Sequence, residues 1–188
     1  MTDLKDKIAL VTGAASVAGL GFATARLLAR RGATVWLTDI DAAGAQARAD
    51  ELTAEGLAAR GMGHDVTSAE AWQSVLAAIT AQDGRGVDIL VNNAGIAVLR
   101  WTPDLEPAEW QRQIDVNLTS VYLGCRAALP AMRERGEGAI VNISSVAGLV
   151  GIPGASAYAA SKGGVRLYTK AVAMECAREG IRVNSVHP

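Results

Sequence analysis

Cysteine and histidine are nearly absent, with two residues of each in a chain of 188. Cys125 and Cys176 fall in helix-like segments, and the opening MTDLKDKIAL lacks the charged-then-apolar-then-small pattern of a signal peptide. A reducing, cytoplasmic location is the expectation. His64 and His187 lie far apart with no carboxylate or thiol cluster beside either, so the sequence offers no metal site. No excess of one charge exists either: 18 basic against 19 acidic residues leave a net charge of -1. That balance, without a local Lys/Arg cluster, argues against nucleic acid and acidic membranes as partners. No long hydrophobic run survives inspection. Gly138 to Ser161 carries no charge, but Asn142, Pro153, glycines and serines interrupt it, which excludes a membrane span. A GxSxG elbow is missing, which removes the usual sign of a serine hydrolase.

What is present is alternation. Six apolar, β-rich runs (KIALVT, ATVWLTD, LAARGMGHDV, VDILVNNAG, GAIVNISS and IRVNSVH) are separated by segments long enough for crossover helices. Such a pattern predicts an α/β fold, a doubly wound parallel sheet of the Rossmann type in three layers, in one domain over residues 1–188. The runs are apolar throughout rather than alternating, as strands covered on both faces should be. No linker or internal repeat divides them. Trp110, Ile114, Leu118, Val121, Cys125, Ala128 and Met132 recur at helical steps and predict one helix from about Glu106 to Arg135 with a single buried stripe. Asp41 is a candidate N-cap for a helix through Glu55, and Ser68 for the next through about Gln82. A further helix is expected from about Ser156 to Glu179. By period, Trp36, Trp72 and Trp110 read as packing residues; Trp101 follows the fourth strand, at a place that can border a pocket.

The first strand runs into TGAASVAGLG, and glycines at a strand-to-helix turn let the backbone approach a pyrophosphate whose charge sits on a helix N-terminus. Gly13, Ser16, Gly19, Leu20 and Gly21 are therefore candidate cofactor-binding positions. Asp39, ending the second strand, stands where a carboxylate accepts hydrogen bonds from the adenosine ribose hydroxyls. It would repel a 2′-phosphate, and neither Ala18 nor Ile40 offers a compensating cation, so NAD is expected over NADP.

NNAG at Asn92 to Gly95, Asn117 in the long helix, and Ser145 followed by Tyr158 and Lys162 in a YxxxK arrangement complete the set. In this order the motifs resemble the short-chain dehydrogenase/reductase family, from about Lys5 to the last residue. The resemblance implies that Asp65 and Val66 hold the adenine ring and that Asn92, Ala94 and Gly95 support the fourth strand beside the cofactor. It also implies that Asn117, Ser145, Tyr158 and Lys162 form the catalytic set, Asn117 through a water that links the lysine to solvent. Pro188, at the end of the sixth strand, falls on the nicotinamide side. In the family the next residues supply the substrate loop and a further strand, so a longer polypeptide is expected. The family's loop is TGxxxGxG; here Ser16, Val17 and Ala18 widen it. A homodimer or homotetramer is implied, through the helix from Glu106 and the helix bearing Tyr158.

Hydride transfer at a carbonyl carbon needs a proton donor or acceptor at the oxygen, where charge develops. A phenol titrates near about 10. An ammonium about 4 Å away, at an effective dielectric of about 20, favours its phenolate by roughly 4 kcal/mol. Tyr158 and Lys162 stand at i and i+4 on one helix and so share a face. Ser145, at a strand end, is placed to bind the substrate oxygen, with Ser144 as its competitor. The expected activity is oxidation of a secondary alcohol, or reduction of a ketone, with NAD(H). The alternatives are a 3-oxoacyl-thioester (acyl carrier protein) reductase and a non-catalytic dinucleotide-binding protein.

Overall fold

The computed structural model describes residues 3–188. The six apolar runs form β1 (Ile8–Thr12), β2 (Thr34–Asp39), β3 (Ala59–Gly63), β4 (Ile89–Asn92), β5 (Gly138–Ile143) and β6 (Ile181–Val186). They pair in parallel in the order β3-β2-β1-β4-β5-β6, so β1 and β4 lie side by side at the reversal of strand order. Ligands of open α/β sheets bind outside the strand ends at that reversal.

Alternate residues of the central strands enter different cores. From β1, Ala9 and Val11 pack with Phe22, Ala25 and Leu52 of α1 (Leu20–Arg30) and α2 (Ala42–Ala54). Leu10 points the other way, into a core shared with Trp72 of α3 (Ala69–Asp83), Met132 of α5 (Ser120–Arg135) and Val165 of α6 (Ser156–Glu175). This two-sided burial is why the runs are apolar throughout. Asp41 caps α2 by accepting the Gly44 N–H at 2.9 Å, and Ser68 caps α3 by accepting that of Ala71 at 3.1 Å. No helix among the described residues is long and apolar enough to cross a membrane.

Two expectations need correction. The long helix begins as α4 (Pro107–Ile114) after Glu106, but Asp115–Thr119 is a π-helical turn before α5 takes over. A π turn accommodates one extra residue, which rotates everything upstream of it about the axis. The fully buried positions are therefore Gln113 just before the turn and Asn117 within it, while Trp110 is 39% exposed. A constant period carried back from Val121 misses that rotation. The last helix also stops short, at Glu175 with Cys176 as its cap.

One polar group is enclosed where β2, β3 and α3 meet. The His64 ring shares a hydrogen bond with Thr38 Oγ1 at 3.1 Å and stands edge-on to Trp72, and its Nε2 is buried without a partner. Burial lowers its pKa from 6.5 to about 4, against a smaller opposing pull from Asp65. Because the folded pKa lies below the unfolded one, the neutral ring stabilises the fold fully above about pH 6.5, and that stability is lost as pH falls toward 4. The shift corresponds to roughly 3 kcal/mol. Urea unfolding of the wild type and of His64→Gln between pH 7 and pH 4 should therefore show a loss larger by about that amount in the wild type; equal losses would clear His64 of the role.

Candidate active site

The carboxyl ends of β1 and β4 are pinned by a polar knot. Thr12 Oγ1 accepts the N–H groups of Asn93 and Ala94 at 3.0 and 3.1 Å. The Asn93 amide donates to the carbonyls of Thr12 and Gly13 at 2.8 and 2.9 Å. Gly13 turns the chain with φ +67°, and a Cβ there would lie 2.7 Å from the Ala94 Cα. A Cβ on Gly21 would collide with the Gly13 carbonyl oxygen, so glycine at this point allows α1 to seat against the turn.

Outside this knot lies a crevice of about 920 Å³ whose walls include Gly13, Ser16, Gly19, Leu20, Asp39, Asp65, Val66, Ala94 and Gly95. Gly19 precedes α1 without any side-chain cap, so the first N–H groups of α1 carry no side-chain acceptor. The widened loop folds as a turn, with the Gly19 N–H on the Ser16 carbonyl at 3.1 Å, and leaves Val17 70% exposed. Asp39 Oδ2 accepts the Ala15 N–H at 3.0 Å and Oδ1 that of Asp41 at 3.2 Å. Each oxygen retains a lone pair for a ribose hydroxyl. Asp65 is held by the hydroxyl and N–H of Thr67, which keep its carboxyl below the usual range. An uncapped helix start, glycines that admit no Cβ and a carboxylate at the second strand end fit a dinucleotide laid across the strand ends.

Two candidate cofactor residues border neither cavity: Gly21, buried against the Gly13 carbonyl, and Asn92. The Asn92 side chain is buried and donates to Asn142 Oδ1 at 2.9 Å, joining β4 to β5 away from the crevice. Asn93, one residue on, faces the crevice instead. Thr12 and Asn93 both stood in quoted motifs, and only their cross-strand contacts assign their work. Trp101 is 66% exposed and borders neither cavity.

A second recess, of about 260 Å³, gathers Ser145, Tyr158, Lys162 and Pro188. β5 ends in two serines whose side chains diverge. Ser144 is buried and donates to the Lys162 carbonyl at 2.8 Å, which commits it to scaffold. Both serines border the recess, and Ser145 Oγ accepts the Ala147 N–H at 3.2 Å. Lys162 is buried, with Nζ donating to the Ile143 carbonyl at 2.8 Å and standing 5.7 Å from the centre of the Tyr158 ring. Burial lowers its pKa to about 8, so it keeps its proton at neutral pH. A Cβ on Gly95 would meet Asn117 Oδ1 at 3.2 Å and Lys162 Nζ at 3.3 Å, so the missing side chain leaves room for the amide and the ammonium against that glycine. Asn117 accepts the Ile96 N–H and donates to the Ile96 carbonyl, both at 2.8 Å, and also donates to Ser161.

Residues 7–188 match the family described as short chain dehydrogenase. The chain is 46% identical over 188 residues to a cyclopentanol dehydrogenase of a Comamonas species, covering 100% of this chain and 74% of that protein. To a 3-oxoacyl-acyl-carrier-protein reductase of Vibrio cholerae it is 44% identical over 186 residues, 99% of this chain and 74% of the relative. The fold superposes on a short chain dehydrogenase from Mycobacterium smegmatis with a TM-score of 0.94 at 38% identity, covering 98% of this chain and 77% of that one. These relatives extend over a greater length than the 188 residues here. A Rossmann sheet, a crevice at the carboxyl ends of its strands and a Ser–Tyr–Lys recess on a chain that matches over nearly its whole length make this protein an oxidoreductase that belongs to the short-chain dehydrogenase family.

Proposed function

We propose that this chain carries the NAD-dependent interconversion of a secondary alcohol and its ketone, with Tyr158 as the acid/base. The observation that carries this reading is a shared wall: Leu20, Asn93, Gly95 and Ile96 border both the long crevice and the recess. A dinucleotide in the first thereby brings its reactive end to the second. When bound, NAD supplies the carbon that accepts the hydride. Oxidation removes that hydride from the carbinol carbon and a proton from its oxygen. Tyr158 takes the proton, and Ser145 donates a hydrogen bond to the same oxygen as it becomes a carbonyl. The Lys162 ammonium lowers the cost of the phenolate, and with one proton given to the Ile143 carbonyl it retains others for a ribose hydroxyl. The relative acting on cyclopentanol supports a secondary, ring-borne alcohol as the substrate class. A cytoplasmic site of action goes with this reading.

Tyr158→Phe keeps the ring and deletes the proton carrier. Turnover should fall by at least about a thousandfold, toward the upper range of acid–base contributions, while the NAD dissociation constant stays within about threefold. Activity near wild type would overturn the assignment.

The second reading is a 3-oxoacyl-thioester reductase using NADPH. The Vibrio relative and Arg112, whose side of α4 lines the crevice as the one basic residue of that wall, favour it. Asp39 opposes it, because a carboxylate about 4 Å from a 2′-phosphate costs about 1 to 4 kcal/mol depending on local dielectric. NADP should therefore bind at least about tenfold more weakly than NAD, and Asp39→Ala should narrow the gap. Equal dissociation constants by isothermal calorimetry would favour the reductase.

Assembly belongs to the same proposal. Tyr122 on α5 and Leu167 and Met174 on α6 are 45%, 65% and 78% exposed, which suits helix faces shared between copies. Light scattering should give a dimer or tetramer; a monomer at working concentration would refute it.

A further inference from the structure

Gln113 is the one uncharged, hydrogen-bonding side chain of α4 that is fully buried, and no motif points to it. Its Oε1 accepts the Val98 N–H at 2.9 Å, one helical turn before Asn117, whose Oδ1 accepts the Ile96 N–H at 2.8 Å. The next alternate N–H, that of Arg100, donates to the Gly154 carbonyl just ahead of α6 at 2.8 Å. Gly95 to Arg100 is thus an extended strap with one edge anchored at every second residue. The match is geometric. Two strand residues span about 6.6 Å, comparable with one helical turn, so amides at 113 and 117 meet the N–H groups of 98 and 96. Among the described residues the N–H groups of Ala97 and Leu99 make no hydrogen bond, and both residues are exposed. Gly95, Ile96 and Ala97 line the recess that holds Ser145, Tyr158 and Lys162.

A leucine or methionine would fill the Gln113 position without leaving a buried amide nitrogen unpaired, as Gln113 Nε2 is. The polar residue is explained by the acceptor it offers to the strap. We propose that Gln113 is a positioning residue: with Asn117 it forms a two-rung amide ladder that holds the recess-lining strap in register. The consequence for turnover rests on the catalytic reading above; the ladder itself does not.

The test therefore has two arms. In wild-type protein, amide hydrogen exchange should be slow at Ile96, Val98 and Arg100 and fast at Ala97 and Leu99. Gln113→Met keeps the volume and removes the acceptor. Its Val98 exchange should accelerate by at least about tenfold, the worth of one hydrogen bond to a half-buried N–H. In Gln113→Glu, which keeps an acceptor oxygen, Val98 should stay protected. In an active enzyme, Gln113→Met should lower kcat/KM for the alcohol about tenfold with the NAD dissociation constant nearly unchanged. Equal exchange at all five amides, or Val98 protection that survives Gln113→Met, would overturn the ladder; if Gln113→Met fails to fold, the wild-type alternation still decides. A wild type that turns nothing over while showing the alternation would count against the catalytic reading and leave the ladder standing. A variant with altered exchange and unaltered kcat/KM would refute the positioning role.

Discussion

The site depends on how closely two strand ends can approach each other. β1 and β4 are neighbours, and the chain leaving β1 must turn at once into α1 while the chain leaving β4 passes beside it. That junction admits no Cβ at Gly13 or Gly21, and its backbone polar groups are satisfied across the gap by Thr12 and Asn93. Pinning these ends makes the N-terminus of α1 a fixed wall of the crevice rather than a mobile loop. Fixed donors are what a phosphate-bearing ligand rewards, because their orientation is paid for during folding.

A second constraint follows from burying a lysine. Lys162 retains a proton at neutral pH although burial lowers its pKa to about 8, and its ammonium is steadied by the Ile143 carbonyl at the end of β5. The same strand end supplies Ser144 to the Lys162 backbone and Ser145 to the recess. Successive residues of an extended chain point to opposite sides, so Ser144 anchors α6 while Ser145 is held on the turn that follows β5. Scaffold and chemistry are thereby kept in a common register.

The third wall is built on the helix that departs from regularity. The π turn at Asp115–Thr119 sets Asn117 inward, and with Gln113 one turn earlier it turns a helix face into acceptors for the strap after β4. Buried amides of this kind are costly when unpaired and specific when paired. Their partners are backbone groups, so they hold the position of a segment whatever its side chains.

Much of this was legible in the residues themselves. The six strands, the parallel sheet, the caps at Asp41 and Ser68, and the grouping of Ser145, Tyr158 and Lys162 follow from period, turn chemistry and motif, all of which act over short stretches of chain. Tertiary structure alone decided the rest. Asn92 and Asn93 are chemically identical, and only the pleat of β4 and its neighbours makes one a core bridge and the other a clamp on the turn. Trp110 continues a perfect helical period, yet the π turn downstream rotates it to the surface and brings Gln113 inside. Periodicity assumes constant twist, and a long-range hydrogen bond can change that twist without leaving a mark on the local sequence.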